Sequence, residues 1–486
     1  MKGSRVALAL VACVAHASPA RAHAFAERYD LPLPLWYYLA GAGLAVVLSF
    51  VAAGLFLRPG ARTTLTSGIP LDKYRSWRVV SSRPATALLR ALSVVFFAIA
   101  IAAGFAGIQG EPLDNLLPVT VWIVWWVGFT YACALIGDVW SAINPVQTLA
   151  RSLNFLVRGA GKLTPPLDLP ARAGVWPAVV LFFAFTWAEI AWPENAVPAS
   201  LAWAVLLYTA ITFTAMAAFG IDVWLERGDP FSRFFALMAR LSPIDSGQLR
   251  LRPYGAGLVT AVPMSWAELT FVVLALSTVS FDGLRETPFW NELSSATMGV
   301  LYRAGLLSLL GIVNATALIK TVGLVLVPLI FLILYLATCR ATGALVERSG
   351  SGNGAWTTSA LARLFVTSLV PIAVGYHLAH YFSYLIIQGQ AVIPLLSDPF
   401  GRGWDLFGTR SYAPDIGIVG ARFVWTVAVG TIVAGHVAAV LVAHATALKA
   451  FRDTRTALRS QYPMLALMVV YTMFSLWVLA QPIVED

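Results

Sequence analysis

Charge is what this chain has least of. Charged residues make up 12% of its 486 positions, where soluble chains carry about 25%. That shortage excludes an ordinary water-exposed globular surface. Cysteine is nearly absent, with three residues. Cys13 lies in the leader, and Cys133 and Cys339 lie in apolar runs with no CxxC spacing, which excludes a disulfide framework and a zinc ribbon. No Walker loop, G-x-S-x-G elbow, Rossmann fingerprint or c-type haem motif occurs. The basic residues sit in short separated loops, so the net charge of +9 is not a nucleic-acid footprint.

What fills the chain instead is hydrocarbon. Hydrophobic residues account for 59% and the mean hydropathy is +0.76, which together place the whole chain in the membrane class. Residues 1–22 have the form of a signal peptide: Lys2 and Arg5, an apolar stretch from Val6 to Val14, then Ala20-Arg21-Ala22. That stretch is shorter than the roughly 20 residues a spanning helix needs. Cleavage after Ala22 would make His23 the N-terminus and lower the net charge from +9 to +6, because Lys2, Arg5 and Arg21 leave.

The remainder, 23–486, is expected to be one all-α membrane bundle. Ten apolar runs predict spans near 34–57, 84–108, 116–137, 176–192, 198–221, 256–281, 318–342, 360–387, 417–448 and 462–481. Every second connection is rich in Lys and Arg, beginning with Arg58, Arg62, Lys73, Arg75, Arg78 and Arg83. The positive-inside rule then sets both mature termini outside the cytoplasm of a bacterial inner membrane. The stretch 293–315 is expected to lie on the outer surface as an amphipathic helix. A helix-pair repeat is visible around 116–160 and 198–242: Asp138-Val139-Trp140 with Asn144-Pro145, and Asp222-Val223-Trp224 with Asp229-Pro230. Each copy is expected to end in an amphipathic helix on the cytoplasmic surface.

Ionisable side chains inside hydrocarbon are costly and therefore point to function. Glu189 and Glu268 each follow a Trp-Ala pair, His377 and His380 form an H-x-x-H pair at i, i+3, and His436 and His444 lie on the ninth run. Counted from the arginine-rich ends at 1.5 Å per residue, Glu189, Glu268, His377 and His436 are expected at one level, roughly 20–24 Å up; His444 falls near the cytoplasmic edge. Such an N/O layer suits a divalent transition metal, whether zinc, manganese, iron or copper, and His23 would add an imidazole and an amine. The outer segments bearing Asp282, and Trp404 with Asp405, are expected to close over the site. The latter reads as a structured lid because its aromatic residues call for burial.

Several segments carry a resemblance. They are His23 to Leu35, Gly137-Asp-Val-Trp140 with Asn144-Pro145, Ser280-Phe-Asp-Gly-Leu284, Tyr376-His-Leu-Ala-His-Tyr381, Gly403-Trp-Asp-Leu-Phe-Gly408 and Gln461-Tyr-Pro-Met464. Over nearly the whole mature chain they resemble the bacterial polytopic membrane proteins known as fenitrothion hydrolases. The resemblance implies hydrolysis of an organophosphorus triester, a small apolar substrate drawn from the bilayer, with scope for a second membrane subunit. On the residues alone three functions stay open: a metal-dependent hydrolase with Glu189 or Glu268 as general base, a copper or haem redox protein, and a proton- or metal-coupled transporter.

Overall fold

The computed structural model describes residues 31–56, 68–158, 165–260, 262–348, 356–451 and 453–481. The signal peptide and His23 lie outside the described residues. Among the described residues ten helices are long and apolar enough to cross a membrane, as the apolar runs predict. A helix suits lipid because it satisfies its own backbone polar groups within one segment.

In chain order, α1 is Leu35–Phe56, α2 Arg83–Ala106 and α3 the span Leu116–Leu135. One turn, α4 (Val139–Ile143), leads to the surface helix α5 (Pro145–Arg158). Then follow α6 (Trp176–Ile190), α7 (Pro198–Phe219), α8 (Ile221–Arg227) and α9 (Pro230–Ala239). The second half holds α10 (Trp266–Leu284), α11 (Pro288–Arg303), α12 (Leu306–Arg348), α13 (Thr358–Phe365), α14 (Val370–Ile387), α15 (Ala421–Ala450) and α16 (Tyr462–Ala480). Starts are set by local chemistry. Ser82, Thr287 and Thr357 each accept the N–H three residues on, satisfying a donor the helix leaves open.

The middle of α3 is a π-helix, Val119–Gly128, a form that recurs at functional sites. Its wide turn brings Trp122 and Trp126 to one face. The two Asx-Pro positions cap alike: Asn144 accepts from Gln147 N (3.1 Å) to start α5, and Asp229 from Ser232 N (2.9 Å) to start α9. The two copies then diverge. Helix α5 stays at the surface with Leu153, Phe155, Leu156 and Val157 exposed. Helix α9 instead buries Phe231, Phe234, Phe235 and Met238 inside the bundle, among Trp125, Trp126 and Phe182. The expected second surface helix is thus an internal one, because Phe231, Phe234, Phe235 and Met238, at i, i+3, i+4 and i+7, form one apolar stripe that packs on the bundle aromatics.

Two boundaries also differ from expectation. Helix α10 begins at Trp266 and not near 256, since Pro253 and Pro263 break the run and Ser265 supplies a capping box. The segment 293–315 divides. Helix α11 is separate and α12 starts at Leu306, with a left-handed turn at Gly311 (φ 74°) inside it. Helix α14 packs closely on α15. A methyl at Gly435 would lie 2.7 Å from the Pro371 carbonyl and 3.2 Å from Gly375 Cα, so two glycines let these backbones touch.

Candidate functional site

A hydrogen-bonded network of ionisable side chains lies in the bundle interior, at the end away from the arginine-rich loops. Helix α6 brings Glu189 in its last turn, and α10 brings Asp282 in its last turn. The carbonyl end of a helix dipole is the unfavourable end for a carboxylate, so Glu189 depends on donors from other helices, and Asp282 on these together with Arg285 at the end of its own helix. From the π-helix, Trp126 Nε1 donates to Glu189 Oε1 at 2.6 Å. The Tyr381 hydroxyl, from α14, reaches both acids: 3.0 Å to Glu189 Oε1 and 2.8 Å to Asp282 Oδ2. His380 Nε2 is 2.9 Å from the same Asp282 Oδ2. Arg285 Nε donates to Asp282 Oδ1 at 2.6 Å, and the guanidinium also pairs with Glu286 at 3.1 Å.

Proton counting gives this arrangement its chemistry. A tyrosine hydroxyl has one proton, and here two carboxyl groups lie within its reach. When Tyr381 donates to Asp282, the contact with Glu189 is satisfied by a proton held on Glu189. When that proton leaves, the Tyr381 proton is shared between two anions. A proton can therefore pass from Glu189 to Asp282 by relay: the Glu189 proton moves onto the Tyr381 oxygen as the Tyr381 proton moves to Asp282 Oδ2, and rotation of the hydroxyl resets the path. Asp282 is held by three donors and anchored to a cation; Glu189 has neutral partners. Around them the support is specific. Asn195 Nδ2 donates to the Glu189 carbonyl, Trp122 Nε1 to the Asn195 carbonyl at 2.9 Å, and Tyr131 to the Leu378 carbonyl. Gly283 is required beside Asp282, because a Cβ there would strike the Tyr376 hydroxyl.

The structure unites some of the expected site and disperses the rest. Glu189 and His380 meet through Tyr381 and Asp282. Asp282 belongs to the network itself, as part of α10, and not to a covering loop. His377 stands one turn from Tyr381, ring to ring at 4.7 Å, boxed by Trp126 (5.5 Å) and Phe234 (6.4 Å), with Nε2 buried and, among the described residues, without a hydrogen-bond partner. Glu268 is elsewhere. It completes the Ser265 capping box, accepting from Ser265 N at 2.9 Å, and pairs with Arg233 at 3.2 Å while 28% exposed. Fourteen residues of helix, about 21 Å, separate it from Asp282; the late start of α10 dissolves the expected layer.

His436 is also apart. Its Nδ1 is 2.9 Å from the Ile432 carbonyl, so Nδ1 carries the proton, and its ring faces Tyr471 at 5.8 Å. The Gly375–Gly435 contact brings α14 and α15 together at this level. His444 lies beside Gln461. Trp404 and Asp405 sit in the loop between Ser397 and Ala421 and touch none of the network. That loop is ordered, though not by aromatic burial: Trp404 and Phe407 are exposed. Asp398 instead accepts from Arg402 N and Gly403 N, Asp405 from Arg410 N, and Gly401, Gly403 and Gly408 take positive φ. Among the described residues no three His, Cys, Asp or Glu side chains converge as a metal site. The Asp282 oxygens face Arg285, Tyr381 and His380, and as arranged they do not fit a metal.

Tyr381, Trp126 and Arg285 are the partners that sequence reading missed. The signal for Tyr381 was available: it follows His380 directly and shares a helix face with His377 at i, i+4. Fold and network together define a polytopic helical membrane protein with a buried acid–base network. Comparison with known protein families, with curated proteins and with solved structures finds no match to this chain.

Proposed function

We propose that the protein is a membrane-embedded acid–base hydrolase of a small apolar ester of the phosphotriester type, in the bacterial inner membrane with its network toward the outer side. The observation that carries the reading is the single Tyr381 hydroxyl between Glu189 and Asp282. Glu189 serves as general base, taking a proton from the attacking water, and Tyr381 adjusts its hydrogen bonds as that charge changes. Asp282, fixed by Arg285 and His380, holds the tyrosine in line. The phosphorus–aryloxy bond then breaks and the aryloxide leaves with its electron pair. A substrate soluble in lipid reaches such a site without crossing water, which is why a buried position suits it.

The test is turnover of an aryl thiophosphate triester by the protein in lipid nanodiscs, following release of the phenol. Glu189→Gln and Tyr381→Phe, folded by their melting behaviour, should each lose at least about a hundredfold in rate, the range general-base groups contribute. Full turnover in either variant sinks the proposal. A second reading, a proton-coupled carrier, draws support from the duplicated helix pair whose second copy enters the bundle, as repeats do in carriers. Proteoliposomes that acidify on substrate addition without releasing phenol would favour it.

A further inference from the structure

A second feature stands far from the network, at the arginine-rich end. Arg90 lies seven residues into the spanning helix α2, about 10 Å along it. A guanidinium at that depth is costly unless something accepts its protons. Its Nε donates to the Ala142 carbonyl at 3.0 Å, and among the described residues its two terminal nitrogens meet no protein acceptor. Beside it Ser93 donates to the Ile143 carbonyl at 2.7 Å. These two bonds pin the α4–α5 junction against α2 and leave a groove of about 490 Å³ between α2 and α5. Arg90 lines one wall; Arg151, Thr148 and Ser152 line the other. Arg151 also pairs with Asp222 at 2.8 Å, but with Asp222 87% exposed that contact is weak and exchangeable.

The surroundings identify the occupant. On α2 the outer face next to the groove is apolar, with Leu88, Leu92 and Val95 exposed as if to lipid tails. Across it, α5 presents Leu153, Leu156 and Val157, the apolar side of a helix lying in a membrane interface. Two arginines and two hydroxyls thus meet at the level of lipid headgroups, between two hydrocarbon-facing walls. Guanidinium groups match phosphate oxygens bidentately, and basic pockets between spanning helices are where anionic headgroups bind. We infer that the α2–α5 groove is a binding site for the phosphate of an anionic glycerophospholipid, its acyl chains lying along α2. The bound phosphate would complete the hydrogen bonding of Arg90 and tie the surface helix α5 to the bundle.

Vesicle-reconstituted protein can be compared in phosphatidylcholine alone and in phosphatidylcholine with phosphatidylglycerol, reading melting temperature and lipid retained by native mass spectrometry. Phosphatidylglycerol should raise the melting temperature of the wild type and remain bound. Arg151→Gln, at an exposed position that leaves the fold intact, should weaken retention about fivefold, and Arg90→Gln with Arg151→Gln about 25-fold, at roughly 1 kcal/mol per arginine. Equal retention by wild type and Arg151→Gln would overturn the inference. So would equal stabilisation by inorganic phosphate in phosphatidylcholine, which would make the groove a site for soluble anions.

Discussion

Replacing Asp282 by Asn tests whether the network rests on one buried ion pair. Asp282 and Arg285 meet at 2.6 Å with side chains 5% and 18% exposed, so neither charge is screened by water. Removing one partner of a buried pair costs about 3–5 kcal/mol, because the other charge is left desolvated. Glu286 also contacts Arg285, at 3.1 Å, and retains part of the compensation, which sets the expectation at the lower end, about 3 kcal/mol. Asn keeps the shape but places an N–H₂ where His380 and Tyr381 both approach Oδ2, adding about 1 kcal/mol for a lost hydrogen bond. The double variant Asp282→Asn with Arg285→Met removes the stranded cation and should recover about half of the loss, a coupling of the size neighbouring residues show. Reversible unfolding in mixed micelles, followed by tryptophan fluorescence, reads the four free energies of wild type, Asp282→Asn, Arg285→Met and the double variant. A cost below 1 kcal/mol for Asp282→Asn, or a double variant as unstable as the two single effects added, would refute the reasoning.

Glu268→Gln distinguishes the observed site from a layer of matched glutamates. It should leave ester turnover within about twofold of wild type and lower stability by under about 1 kcal/mol, since the Arg233 pair is partly exposed; abolished turnover would restore Glu268 to the site. Gly435→Ala should destabilise by about 1–3 kcal/mol through overpacking against Pro371 and Gly375. Gly430→Ala, with open space at its Cβ position, should cost nothing in the same micelle assay. Asp229 is fully buried in the helix α9 start, and burial pushes its carboxyl above the usual carboxylate range. The folded chain then holds a proton that the unfolded chain releases, so melting temperature should fall as pH rises from about 4 through the folded value. Asp229→Asn, still a helix cap, should flatten that slope, and an unchanged slope would locate the titration elsewhere.

How far the site was legible depended on which rule each residue obeys. Glu189 and His380 announced themselves as ionisable groups in apolar runs, a local property. Glu268 satisfied the same rule and misled, because the helix start at Ser265, and not the length of the apolar run, decides whether a glutamate is deep in a span or caps its first turn. Tyr381 drew no notice for the opposite reason: tyrosine is unremarkable in a membrane helix until two acids from other helices approach its hydroxyl. The repeat at Asn144-Pro145 and Asp229-Pro230 was readable as capping chemistry. Its second copy's burial was not, since Phe231, Phe234 and Phe235 needed Trp125, Trp126 and Phe182 to pack on.

By itself, then, the amino-acid order determined that this is an all-α membrane protein, with ten helices among the described residues long and apolar enough to span. In hydrocarbon each span must bond its own backbone and be apolar along about 20 residues, and both conditions are local to the segment. Only the tertiary structure decided which of the scattered polar side chains meet. Glu189, Tyr381 and Asp282 come from three helices far apart in the chain, and their convergence is fixed by helix rotation, by glycine contacts such as Gly375 on Gly435, and by a π-turn that aims Trp126, none of which any single segment specifies.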